Sequence, residues 1–292
     1  MRNFIVVCLL FAVACSTRKE PTETEMHAHA ASVEQWRTER YNDLKSRNGW
    51  LNLAGLFWLK EGINSFGSDE SNDLVFPKDK IAPKAGYFLV KDKTVNMTLL
   101  ETKKDTLMYH SDSSKYVTAS VGSLEWFVLK RADKIGVRLR DLESENVKNF
   151  SGIDHYPTSW DWKLPARFEP AKEGETIDIT NVLGQTTAEK LAGTLVFTVD
   201  GKEQRLAATG EGEKLFVVFG DATNGKETYG AGRFLYVNKP DSTGVATIDF
   251  NKSYNPPCAF TEFATCPLPA KENVLAVAIT AGEKNYDSHH GK

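Results

Sequence analysis

The chain has 292 residues, 11% of them aromatic, with 36 Lys and Arg against 39 Asp and Glu for a net charge of −3. That length supports a sizeable apolar core. The near-neutral balance and the lack of an arginine-rich stripe argue against nucleic acid as a partner, and no apolar run beyond the leader is long enough for a membrane-spanning helix.

The first element is a leader. Met1-Arg2-Asn3 precedes an apolar run from Phe4 to Ala14, shorter than the roughly 20 residues a permanent span needs. Ala12 and Ala14 stand before Cys15, and polarity begins at once with Ser16-Thr17-Arg18-Lys19-Glu20. This pattern predicts a signal peptide over 1–14, lipidation (palmitate) of Cys15 and anchorage to the cell envelope. Ser16 favours the outer membrane over the cytoplasmic one. An ordinary signal peptide cut after Ala14 is the alternative. Residues 15–31 hold one large apolar side chain, Met26, and are expected to be a flexible tether. His27 and His29 on it, like His289 and His290 near the C-terminus, are not expected to bind metal, and no cofactor is predicted.

The folded part opens at Ser32-Val33-Glu34-Gln35, a capping-box pattern. Val33, Trp36, Tyr41 and Leu44 then recur at helical spacing until Gly49, which predicts one amphipathic helix over 32–47. The remainder reads as strands. Alternation at Val95-Met97-Leu99, Ile135-Val137-Leu139, Leu195-Phe197-Val199 and Leu215-Val217-Phe219 has the period of a pleated chain. Val196, Phe216 and Val218 fill the gaps of the last two, which predicts burial on both faces. Asp200-Gly201 supplies a hairpin turn. The expectation is a mostly β protein of packed antiparallel sheets, sandwich or barrel-like, with subdomains 32–130 and 131–292.

Three segments carry a resemblance. They are Gly49-Trp50-Leu51-Asn52-Leu53-Ala54-Gly55-Leu56-Phe57-Trp58-Leu59 with Gly62, Asn64 and Phe66-Gly67; Phe219-Gly220-Asp221-Ala222-Thr223-Asn224-Gly225 with Thr228-Tyr229 and Gly232-Arg233-Phe234-Leu235; and Asp249-Phe250-Asn251, Tyr254-Asn255-Pro256-Pro257-Cys258-Ala259-Phe260-Thr261, Cys266-Pro267-Leu268-Pro269, Glu272-Asn273 and Ala281-Gly282-Glu283-Lys284. Together they resemble the bacterial family catalogued as domain of unknown function 1684, over nearly all of residues 35–285. That resemblance implies no particular chemistry. The order Leu59, Gly62, Phe66-Gly67-Ser68, Leu74-Val75-Phe76-Pro77 is also similar to the opening strands of forkhead-associated β-sandwiches, with Ser68 where their phosphopeptide sites carry Arg.

Usual catalytic signatures are missing: there is no G-x-S-x-G, no H-E-x-x-H, no P-loop and no dinucleotide-binding glycine pattern. Arg138 and Arg140 share one face of a strand, where they either clamp a carboxylate or phosphate or form a solvated face paired with acids. His155 is a candidate general base oriented by Asp161, with Tyr156 beside it as a candidate ligand-binding side chain, or else a side chain anchoring an aromatic loop. Asp221, Thr223, Tyr229 and Arg233 form either a turn with its own hydrogen bonds or a ligand site beside the bare backbone of Gly230-Ala231-Gly232. Asn251 and Asn255 flank the stiff Pro256-Pro257, whose peptide bonds are cis or trans, in a loop that covers a sheet end or rims a pocket. Cys258 and Cys266 are expected to pair as a disulfide in an oxidising envelope, with free thiols or a metal or redox role as alternatives. The reading is an envelope binding or accessory module for a small anionic or carbohydrate-like ligand or a partner protein, with a pocket between the arginine strand and the Cys258–Cys266 loop. The alternative is an envelope hydrolase using His155.

Overall fold

The computed structural model describes residues 20–112, 116–131 and 133–286. The leader, Cys15, His289 and His290 lie outside them. Helix α1 (Glu23–Lys45) starts well before Ser32, because Thr22 and Glu25 form the capping box that ends the exposed N-terminal turn. Ser32 instead donates its hydroxyl to the His29 carbonyl inside the helix. Residues 23–31, expected as tether, are therefore helical. His29 is buried, with Nε2 2.9 Å from Asp249 Oδ2 and its ring edge-on to Trp160. His27 stays exposed near Glu23. As the apolar spacing predicts, Val33 and Leu44 are buried on the inner side of α1. No described helix is long and apolar enough to cross a membrane.

Strands β1 (Leu53–Trp58), β2 (Gly62–Gly67), β3 (Leu74–Val75), β4 (Gly86–Lys91), β5 (Thr94–Leu99), β6 (Lys104–His110), β7 (Thr118–Val121), β8 (Leu124–Arg131) and β9 (Lys134–Asp141) build two sheets. Their orders are β1-β9-β8-β7 and β3-β2-β4-β5-β6. Side chains from both, including Phe66, Phe88, Met97, Trp126, Val137 and Leu139, share one core, so this half is a sandwich. Ser68 donates its hydroxyl to the Ile81 carbonyl.

Strands β10 (Lys163–Pro170), β11 (Thr176–Thr180), β12 (Thr186–Val199), β13 (Lys202–Glu211), β14 (Lys214–Phe219), β15 (Arg233–Asn238) and β16 (Val245–Asp249) form the second body. The main path runs β15-β14-β13-β12-β10-β16, with β11 pairing only to β12. Its two end strands return to each other, giving a nearly closed, barrel-like sheet around Leu195, Phe197, Leu206, Leu215, Val217 and Phe219. Asp200 and Gly201 take positive φ in the β12–β13 hairpin, the turn their sequence predicts.

The expected subdomain break near residue 131 falls inside a hairpin, since Arg131 pairs with Lys134. The two cores are separate, and the chain passes from one to the other between β9 and β10. Alternation on both sides of that tight turn belongs to one sheet.

Candidate functional site

Along β9, Val137 and Leu139 enter the sandwich core, which turns Arg138 and Arg140 to the other face. That face is covered, not solvated. The loop from Pro257 to Pro267 and residue Trp50 lie over it and leave a cavity of about 360 Å³, lined by Trp50, Arg131, Arg138, Phe234, Thr265 and Pro267 among others.

Arg138 is 5% exposed. Its Nη2 makes one long contact, 3.4 Å, to the Phe263 carbonyl, and its Nε is buried with no partner. The guanidinium carbon lies 5.8 Å from the Trp50 ring centre. Among the described residues, no carboxylate is within ion-pair distance of Arg138 or Arg131. Burial, then the positive charges of Arg131 and Arg140, push the Arg138 pKa down to about 10, so the side chain is still a cation at neutral pH.

The cavity opens at Trp50, Phe234 and Pro257 into a larger cleft of about 640 Å³ between α1 and the outer face of β14–β15. Residues facing inward on β14 and β15 fill the barrel, so Phe216, Phe234 and Tyr236 must face outward. They meet Trp36 and Tyr254: Phe216 and Phe234 are 5.1 Å apart, and Tyr236 stacks on Tyr254 at 6.1 Å and 19°. Arg40 and Lys214 in this cleft are offset by Glu39 and Asp43, so its charge is mixed.

Residues 148–284 match the family described as "Protein of unknown function (DUF1684)". Over these residues the chain belongs to the DUF1684 family. Part of the chain is also similar to the solution structure of an uncharacterized protein from gene locus rrnAC0354 of Haloarcula marismortui. The two are 32% identical over 48% of this chain and 80% of that one, with a TM-score of 0.40. No curated protein matches the chain. The DUF1684 region begins after β9, so the segment around Gly49–Gly67 lies outside the match. The cavity is therefore composite: Phe234 and the Cys258–Cys266 loop come from the DUF1684 region, and Trp50, Arg131 and Arg138 do not.

Within the DUF1684 region Cys258 and Cys266 form a disulfide, and both Pro256 and Pro257 follow trans bonds. The loop thus roofs a pocket, but the predicted asparagines do not face it. Asn251 spends its amide on Ser159 and Asp249. Asn255 donates to the Lys284 carbonyl and, through its backbone N–H, to Glu283 Oε2 at 2.6 Å.

Arg233 is fully buried and does not touch the cavity. It donates to Asp221 Oδ2 (2.9 Å) and to the carbonyls of Ile279, Ala281 and Glu283. Asp221 Oδ1 accepts from Thr223 and from the Ile279 N–H. Expected as ligand-binding, Asp221, Thr223 and Arg233 instead bond one another and the chain. Gly232 brings backbone close, but to Phe219, since a Cβ would stand 2.6 Å from the Phe219 carbonyl oxygen. Tyr229 donates to the Cys258 carbonyl, steadying the loop.

Arg140 also proves structural, donating to the Gly49 carbonyl and to Asn52 Oδ1. His155 lacks its expected partner: Asp161 bonds Ser159, while His155 Nδ1 lies 3.4 Å from the Tyr41 hydroxyl and Nε2 has no partner. Burial, then Arg37, lowers its pKa to about 4, so the imidazole is neutral. Tyr156 is buried beneath Lys284; its hydroxyl is near Glu227 and Thr223 without hydrogen-bond geometry to either, and burial raises its pKa to about 12.

Sequence reasoning passed over Trp50, Arg131 and the outward aromatics of β14–β15. The gap-filling Phe216 and Val218 were the available signal. It also passed over Arg40, whose Nε bonds the fully buried Glu283 at 3.1 Å while its guanidinium covers the Tyr254 ring.

Proposed function

We propose that this protein is a small-molecule binding module of the cell envelope whose ligand presents an anionic group to Arg138 and Arg131. One observation carries the reading: Arg138 is a buried cation without a carboxylate, facing a cavity. Removing a guanidinium from water costs several kcal/mol unless hydrogen bonds and an opposite charge replace the solvent. At Arg233 and Arg40 that compensation comes from the protein. At Arg138 it would come from a carboxylate or phosphate, which the planar fork can grip through two N–H groups. Trp50 closes the cavity and serves as reporter.

The test is a titration of the protein with inorganic phosphate and with simple carboxylates, followed by tryptophan fluorescence. Saturable binding that Arg138→Gln weakens roughly tenfold or more is the expected result, since a charge-assisted hydrogen bond is worth about 1.5–3 kcal/mol. Equal affinity in wild type and Arg138→Gln sinks the reading. A carbohydrate-like ligand in the adjoining cleft is the second reading, favoured by the stacked Tyr236 and Tyr254.

The envelope location rests on the leader, with the lipid at Cys15 as the link to the membrane, the outer one favoured. Labelled palmitate should enter the wild-type chain and not Cys15→Ser. Equal labelling of both would remove the lipoprotein reading.

A further inference from the structure

The outer face of β13–β14 presents Ala207, Thr209, Phe216 and Val218, a second apolar surface on strands whose other face already fills the barrel core. Val218 and Phe216 pack in part on Phe234, Ala264 and Cys266, and among the described residues the rest of the face is left without a packed layer. Instead β12 shifts register between Leu191 and Gly193, and its first residues pair with β11 to make a hairpin that arches over the face. The far end of the arch is tied down: Val182 N–H donates to the Cys266 carbonyl at 3.0 Å, and Leu268 N–H to the Thr180 carbonyl at 2.8 Å. Between arch and floor lies a groove of about 410 Å³, in which Ile177 and Ile179 look across at Phe216 and Val218. Protein interiors leave few voids larger than a water, and volumes of roughly 300–1,000 Å³ are those of ligand pockets.

Three polar side chains along the groove are already committed. Asn273 bonds the Ala207 backbone and the Val218 carbonyl, Asn181 bonds Gln185 and its own turn, and Thr187 bonds Glu189. Ile177, Ile179, Phe216, Val218 and Ala207 give the groove a stretch of hydrocarbon between Glu189 and Arg131. One end of the groove reaches Arg131, Thr265 and Pro267, which also line the Arg138 cavity, so the two spaces adjoin at a cationic mouth.

We infer that the ligand is an anionic amphiphile with a single linear alkyl chain, its head between Arg131 and Arg138 and its chain laid along the groove under the β11–β12 arch. This rests on the anion site proposed above and adds the class of molecule it serves. Strand faces present their side chains in rows, so floor and wall together accept a chain lengthwise. Charge complementarity fixes which end of the amphiphile meets the arginines. Glu189, on the arch, would disfavour an anion at the arch side of the groove and reinforces that polarity.

Calorimetric titration of the full chain carrying Cys15→Ser with hexanoate, octanoate and decanoate tests this. Affinity should rise about fourfold per added methylene, the ratio expected for burying each CH₂. Ile179→Glu, on the partly exposed arch, should abolish that rise, with an unchanged melting profile as the control for folding. Arg138→Gln should weaken all three acids by a common factor. Equal affinities for the three acids, with Arg138→Gln still weakening them, overturn the amphiphile and leave the anion site standing. A chain-length dependence untouched by Arg138→Gln overturns the head-group site and this inference with it, as does failure of decanoate to bind at all.

Discussion

Arg138 and Arg233 are both arginines on strands, both buried, and both stripped of bulk water, yet they do opposite things. Arg233 is 0% exposed and surrounded by a carboxylate and three carbonyls supplied by the chain. Arg138 has one long carbonyl contact, an aromatic ring and a cavity. The difference teaches that burial does not distinguish a structural charge from a functional one; what supplies the counter-charge does. The same holds between the two ends of the Cys258–Cys266 region. Glu283 accepts from the Asn255 backbone N–H and from Arg40, while Thr265 and Pro267 border open space.

The sharpest way to break this comparison is to remove the counter-charge from Arg233. Asp221→Ala leaves a buried cation unpaired and should cost about 3–5 kcal/mol in urea unfolding, or prevent folding altogether. A loss below about 1 kcal/mol would mean that Arg233 is not the closed structural pair described.

Next in size is the loop that separates the two environments. Cys258→Ser opens the disulfide and, by loop-closure entropy alone, should lower stability by about 2.5 kcal/mol. It should also loosen the roof over Arg138, so that tryptophan fluorescence shifts before global unfolding. A single coincident transition would show that loop and barrel unfold as one unit.

The α1 contact is tested through His155. Its pKa is about 4 in the fold against an ordinary 6.5, so the folded protein holds it neutral. Its contribution is complete above pH 6.5 and is lost as pH falls through the window towards 4, where the unfolded chain alone takes up the proton. We expect about 1–2 kcal/mol less stability across that window, and His155→Phe should flatten that part of the profile. An unchanged slope would place the pH sensitivity elsewhere.

The smallest effect on stability completes the comparison. Arg138→Met replaces an uncompensated cation with hydrocarbon and should change unfolding free energy by less than about 1 kcal/mol, or raise it. Anion binding should meanwhile be lost. A large destabilisation would turn Arg138 into a second Arg233 and remove the reason for the proposed site.

Much of the architecture was legible beforehand because it depends on local periodicity. Alternation marked β5, β9, β12 and β14; Asp200-Gly201 marked a hairpin; and the apolar residues of α1 marked its inner face. The helix start was misjudged because two capping boxes compete. The Thr22–Glu25 box prevails, and the packing of His29 onto Asp249 and Trp160 holds the residues before Ser32 against the barrel. Of the cavity, Arg138 on its strand and the Cys258–Cys266 loop were legible in the sequence. Arg131 and Trp50 were not, because each sits outside the apolar alternation and reaches the cavity only through the contact between sandwich and barrel.

The sequence by itself determined a strand-rich chain with one amphipathic helix, a pair of cysteines suited to bridging, and membership of a family recognised from motifs such as Tyr254-Asn255-Pro256-Pro257-Cys258. These follow from chemistry between near neighbours, where spacing is read directly. The tertiary structure alone decided which polar residues are spent and which are free. Arg140, Asp221, Thr223, Arg233, Asn251 and Asn255 each met a partner from elsewhere in the fold, and Arg138 met a cavity. Hydrogen-bond satisfaction of a buried group is set by what folds over it, and that partner comes from a part of the chain its own neighbours do not specify.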